Sequence, residues 1–320
     1  MASNSFVRCK TFYCDTGNKK SRYIETDLFL MPSTAPSLKR TKRTKATFFE
    51  MDARILKLNP ELLKQVLKEH PELQKLDPKE IRRYLDHKAR QQDLNDARAR
   101  RKCKLLAETN FNLGDYRLDL TYNEESLPED FKAAEKVLSN FLRKLRRMAK
   151  AKGKELKFIG VTELGSINGR LHHHLLVGAD CGLTREEIEE AWGRGFCHTD
   201  INRDNEKAIG YLLKAGRVYK GARLYKASRN LIKPTKTVSD TKVSKRKLKE
   251  LTSGGEEAVR EYFASKYPEY VVEKIYRYVP EEHLDELEEE QEKLWRDGFS
   301  YLRVCMRLKA KAKGVRHAHR

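Results

Sequence analysis

Two apolar runs, Leu156–Glu163 and Arg170–Val177, are joined by Gly165-Ser-Ile-Asn-Gly169, and this hairpin signature constrains the fold more than any other stretch. Upstream, Tyr116-Arg-Leu-Asp-Leu-Thr-Tyr122 alternates strictly, which puts Leu118, Leu120 and Tyr122 on one face of a further strand. Between the two, Ser126-Leu-Pro-Glu129 reads as a helix start, and Phe131, Ala134, Leu138, Phe141, Leu145 and Met148 recur at helical spacing up to Gly153. Downstream, Thr184-Arg-Glu-Glu187 opens a short helix carrying Ile188, Ala191 and Trp192. Phe196–Ile201 forms another strand, and Asp204 caps a helix running to about Gly216. The order β-α-β-β-α-β-α over roughly one hundred residues predicts an α+β unit on an antiparallel sheet, with helices packed on it, and excludes a doubly wound parallel fold.

The flanks are less regular. Lys10–Tyr13 and Tyr23–Phe29 are short β-like runs, and Leu38–Lys45 is a basic linker. Asn59-Pro60 and Asp77-Pro78 each place a capping residue before a proline at the first helical position, so residues 59–106 read as helices. The second of these is highly charged with a thin apolar stripe, the pattern of a surface arm or lid. The last part has a basic stretch from Lys233 to Lys249, an acidic helix around Glu281–Lys293 and a basic tail containing Arg303 and Arg307. The expected division is three segments: 1–110 as an N-terminal region, 111–235 as the core, and 236–320 as a helical C-terminal region.

Sixty-seven Lys and Arg stand against 47 Asp and Glu, a net charge of +20. That surplus points to a polyanion partner, most often nucleic acid. No stretch approaches the roughly 20 apolar residues of a spanning helix, so no membrane is expected. Six irregularly spaced cysteines exclude a disulfide scaffold and read as free thiols. Met1–Arg8 has no apolar leader core, and the expected location is the cytoplasm.

Chemistry concentrates at Glu163 and His172-His173-His174. Alternate residues of a strand share a face, so His172 and His174 point one way, about 7 Å apart along the strand, and His173 the other. Glu163 ends the preceding strand and can come alongside. Two imidazoles and a carboxylate with open positions suit an exchangeable ion such as Mg²⁺ or Mn²⁺ better than a closed structural zinc site. His173 reads as a packing residue.

A second constellation is Asn205-Glu-Lys207-Ala-Ile-Gly-Tyr211-Leu-Leu-Lys214. At 100° per residue, Tyr211 and Lys214 fall within 40° of Lys207, Arg203 falls at −40°, and Ile209, Leu212 and Leu213 occupy the opposite face. A tyrosine inside a positive stripe suits phosphate contact. An ion that polarises a phosphate and a tyrosine that attacks it make one reaction.

These residues resemble the HUH endonucleases that initiate rolling-circle replication of plasmids and filamentous phages, of the gene II type. Arg117-Leu-Asp-Leu-Thr-Tyr122 is similar to that superfamily's first motif, with Asp119 where threonine is usual. The His-hydrophobe-His strand with its preceding acid maps onto His172, His174 and Glu163, and the Tyr-x-x-Lys helix onto Tyr211 and Lys214. Only one tyrosine is present in the third motif, since position 208 is Ala. The resemblance implies an RRM-like or ferredoxin-like sheet with the His strand in the middle and the tyrosine helix alongside. It implies a strand-specific DNA nick that leaves Tyr211 on the 5′-phosphate and a 3′-OH primer, with strand rejoining and a need for Mg²⁺ or Mn²⁺. Single-stranded or origin DNA is the implied partner, contacted by Arg170, Arg203, Lys207 and Arg217. A host polymerase and helicase would complete replication in a prokaryotic cell. No Walker-type loop is present, so helicase work falls to another protein. The competing readings are a non-catalytic basic DNA-binding regulator and an HUH transposase or mobilisation relaxase.

Overall fold

The computed structural model describes residues 5–15, 21–32, 56, 59–69, 77–165, 169–203, 205–212, 223–278 and 301–309. The chain divides into two units, residues 43–232 and a second formed from 1–42 with 233–320. The fold is α+β, with two five-stranded antiparallel sheets and helices packed on them. No helix among the described residues is long and apolar enough to cross a membrane.

The central unit contains α1 (Pro60–Glu69), α2 (Pro78–Asn110), β3 (Tyr116–Leu120), α3 (Phe131–Ala151), β4 (Phe158–Leu164), β5 (Leu171–Val177), α4 (Arg185–Trp192), β6 (Cys197–Ile201), α5 (Asn205–Leu212) and β7 (Lys226–Ala227). Its strands lie in the order β6-β3-β5-β4-β7, so the histidine strand β5 is central. The β4–β5 hairpin pairs Glu163 with His172, and β3 pairs Asp119 with His174.

Period-two alternation gives the sheet two distinct faces. On one, Leu118, Leu120, Leu175 and Val177 are fully buried against Leu138, Leu142 and Leu145 of α3 and Ile188 and Trp192 of α4. On the other, Ile159, Val161 and Leu176 pack with Cys103, Leu106 and Ala107 of α2, with Phe111, and with Ile209 and Leu212 of α5. Local sequence sets the helix starts. The Asp77 side chain accepts from Lys79 N at 2.8 Å, and Thr184 and Glu187 form a reciprocal capping box. The third helix begins later than Ser126-Leu-Pro-Glu129 suggests, because Asp130 is the residue that caps it, accepting from Ala133 N at 2.6 Å.

Three sequence expectations are corrected. The charged helix α2 is no mere surface arm: Cys103 and Ala107 are fully buried, so its last turns seal one face of the sheet. The boundary expected at 110 therefore falls at the end of a helix that belongs to the central unit's core. The C-terminal region is not purely helical. In the second unit, β1 (Ser5–Cys14), β2 (Tyr23–Pro32), β8 (Thr235–Ser239), β9 (Tyr270–Tyr278) and β10 (Tyr301–Leu308) pair in the order β8-β1-β2-β10-β9. Helices α6 (Lys245–Ser253) and α7 (Glu256–Lys266) contribute Leu248, Leu251, Val259 and Phe263 to its core. Two arginines assigned to a basic tail belong to this sheet: Arg303 meets Asp27 at 2.8 Å and Arg307 pairs with Glu273 at 2.5 Å. Neither is a loose cation for a polyanion. Leu38–Lys45 and Glu281–Lys293 lie outside the described residues.

Leu118, at the centre of the first face, is expected to cost about 2–5 kcal/mol when cut to alanine. Leu94→Ala, on the solvent side of α2, should stay within about 0.5 kcal/mol. Urea unfolding followed by circular dichroism measures both, and equal losses would contradict the burial pattern.

Candidate metal centre

The side chains of Glu163, His172 and His174 converge on one face of the central sheet, with a possible ligand atom from each lying within 4.8 Å of the other two. The hairpin register brings this about, since Glu163 stands directly opposite His172 and His174 follows two residues along β5. Glu163 Oε1 lies 2.8 Å from His172 Nε2 and 2.9 Å from His174 Nε2. The two imidazole rings meet edge to face with centroids 4.7 Å apart. His174 is 5% exposed at its side chain, against 18% for His172 and Glu163, so the cluster opens to solvent on one side only.

The outer ring nitrogens decide what the cluster can hold. His172 Nδ1 lies 3.1 Å from the carbonyl oxygen of Arg170, which can only accept, so it donates there. His174 Nδ1 lies 2.6 Å from Asp119 Oδ1 and donates to that carboxylate. In the neutral imidazoles both Nε2 atoms then carry lone pairs and face a carboxylate oxygen with no proton between them. Three electron-rich atoms at hydrogen-bond distance repel unless a cation or a proton joins them. This donor set fits a divalent cation, and Glu163, His172 and His174 are the residues that could hold one.

Asp119 is the contributor that sequence reasoning did not assign. Burial works to raise its pKa, but the hydrogen bond from His174 outweighs that, helped by Arg117 and His198, and holds the carboxyl below its ordinary value. The available signal was a lone acid between Leu118 and Leu120, on the strand face opposite theirs.

His173 points away, as the alternation requires, and is fully buried. Its ring bonds the Tyr122 hydroxyl through Nε2 and the Thr162 hydroxyl at 2.8 Å through Nδ1, and it meets Trp192 edge to face. Burial, with His172 and His174 adding to it, pushes its pKa down to about 3, so it stays neutral inside the core.

Helix α5 packs on the same face as the cluster. Ile159, Val161 and Glu163 alternate on β4, and His172, His174 and Leu176 on β5; Ile209 and Leu212 of α5 rest against the apolar members of both rows. Lys207 is exposed, as is Arg203 just before the helix. A Cβ at Gly210 would meet no atom within 4 Å, so that side of the helix is open. Residue 211 lies on α5, one turn on from 207; the Tyr211 side chain, and Lys214 and Arg217 entirely, lie outside the described residues. Arg170 is engaged by the Glu124 carboxylate and by the Tyr122 carbonyl at 3.0 Å.

Asp119→Ala is expected to weaken Mn²⁺ binding by about 10–100-fold, as loss of a ligand-orienting partner does. Calorimetric titration with Mn²⁺ checks this, and an unchanged affinity would contradict the role. His173→Ala should leave the Mn²⁺ affinity of the folded protein near wild type. It should lose stability on the order of 1–3 kcal/mol for the orphaned Tyr122 and Thr162 hydroxyls.

None of the curated proteins matches the chain. Residues 115–216, about a third of its length, match a family model of replication-associated proteins, that of ORF2 and the gene II protein. That stretch runs from β3 through α5 and so contains the Glu163–His172–His174 cluster and residue 211. The match identifies this region as similar to that replication-associated family, consistent with a rolling-circle replication initiator of the HUH type.

Proposed function

We propose that the protein nicks one strand of DNA by attack of Tyr211 on a phosphodiester, aided by a divalent cation at Glu163, His172 and His174. One observation carries this reading: three ligand atoms of mixed imidazole and carboxylate type converge on the sheet face that also holds the helix bearing residue 211. A Mg²⁺ or Mn²⁺ ion bound there would polarise a non-bridging oxygen of the scissile phosphate.

The chain's own groups do the rest. Asp119 and the Arg170 carbonyl hold the two imidazoles with their Nε2 atoms turned inward. The Tyr211 oxygen forms a bond to phosphorus and gives up its proton to solvent. The bond from phosphorus to the 3′ oxygen breaks, and that oxygen takes up a proton. The products are a 5′-phosphotyrosine and a free 3′-OH, and reversal of the step rejoins the strand. The 3′-OH is the primer for a polymerase, and unwinding is left to another protein. Exposed Arg203 and Lys207, with Lys214 and Arg217, are assigned to the DNA backbone. The ion pair of Arg170 with Glu124 makes its guanidinium a weaker choice for that role.

The test is a covalent adduct on a denaturing gel, formed with single-stranded origin DNA and Mn²⁺. Wild type should give the adduct and Tyr211→Phe none. His172→Ala and His174→Ala should lose it while retaining most DNA binding. A wild-type protein that gives no adduct, or a Phe variant that gives the same one, overturns the nicking reading in favour of a DNA-binding regulator.

A further inference from the structure

Beside the candidate metal centre, at the edge of the same sheet, stands an aromatic pair with no packing role. Phe196 is 66% exposed, and its ring stacks on that of His198 with centroids 6.2 Å apart and planes within 5°. His198 is itself exposed. The register aligns His198 with Asp119 and Asp119 with His174, so one row of side chains runs across three strands from this pair to the cluster. Two strand spacings separate its ends, about 10 Å.

Exposure here is not looseness. Phe196 O accepts from Thr121 N at 2.9 Å, Arg194 O accepts from Asn123 N at 2.9 Å, and Trp192 Nε1 donates to Thr121 O at 2.8 Å. Gly195 lies at φ +141°, and a Cβ there would meet Asn123 N at 2.5 Å, so only glycine fits where the backbones touch. The chain thus clamps the segment from Trp192 to Phe196 against the end of β3 and leaves a large apolar ring in water. A ring already fixed in place loses little entropy when a ligand stacks on it.

We propose that Phe196, backed by His198, is a stacking platform for an unpaired base of the single-stranded DNA whose phosphate lies at the metal centre. The inference rests on the nicking reading for its choice of ligand. A flat π-face beside exposed Arg194 suits a nucleobase on a polyanionic strand. Its place on the row that ends at His174 suits a nucleotide flanking the scissile phosphate. The platform fixes where the strand sits and does not itself react.

Fluorescence anisotropy in EDTA, without metal or cleavage, tests this with two labelled probes. One is an oligothymidylate; the other has the same length and charge but carries abasic sugars. Phe196→Ala should weaken binding to the first by about tenfold and leave the second within about twofold. Phe196→Trp should bind the first probe near wild-type strength, with the added indole fluorescence quenched on binding. A Phe196→Ala protein that binds the base-bearing strand like wild type overturns the platform. So does one that weakens on both strands alike, which would mark Phe196 as a backbone or protein contact. The nicking reading stands or falls separately on the covalent adduct. A base-dependent loss without an adduct in wild type keeps the platform and removes the chemistry, and an adduct without the loss does the reverse.

Discussion

Two imidazole nitrogens aimed at one carboxylate oxygen form the contact on which the function of the central unit depends. The arrangement exists because β4 and β5 pair with Glu163 opposite His172. A slip of one residue would turn both histidines into the core and bring His173 out. The register is held from the other side of the sheet, where Leu175, Val177 and the hydrogen-bonded His173 are fully buried against α3 and α4. The middle histidine is therefore a keystone of the ligand pair while taking no part in ligation: its bonds to Tyr122 and Thr162 can be made in one register only.

The two faces of the sheet divide the work. One is sealed by two amphipathic helices and supplies stability. The other is only partly sealed, by the end of α2 and by α5, and the uncovered part carries Glu163, His172, His174, Asp119 and His198. Burial of Ile209 and Leu212 anchors α5 to that face while Lys207 stays in solvent. Apolar contacts thereby place a cationic helix surface on the sheet face that gathers the metal-type donors. The charge surplus has acquired a finer meaning: Arg303 and Arg307 are spent within a sheet, whereas Arg203 and Lys207 are exposed where a phosphate would be handled.

Much of this was legible in the residues. Strict alternation in Tyr116–Tyr122 and the Gly165–Gly169 turn marked the strands, and period two alone separated His172 and His174 from His173. The family resemblance added order to motifs already visible. What local patterns do not carry is pairing at a distance. Asp119 becomes a partner of His174 only once β3 is known to lie beside β5. β10 reads as a basic tail until its partner β2, near the other end of the chain, supplies Asp27. In the same way, the charge of α2 hid the short stripe of Cys103, Leu106 and Ala107 that the sheet buries. Phe196 escaped notice because a single aromatic residue beside a strand has no periodic signature.

The central claim is that both Nε2 atoms present lone pairs to a cation. Two-bond proton–nitrogen NMR on histidine-labelled protein at about pH 8, where ordinary imidazoles are neutral, measures it directly. The account predicts Nδ1-protonated rings for His172 and His174, and loss of their signals through paramagnetic broadening when Mn²⁺ is added. An Nε2-protonated ring at either position, or signals that Mn²⁺ leaves untouched, would contradict it.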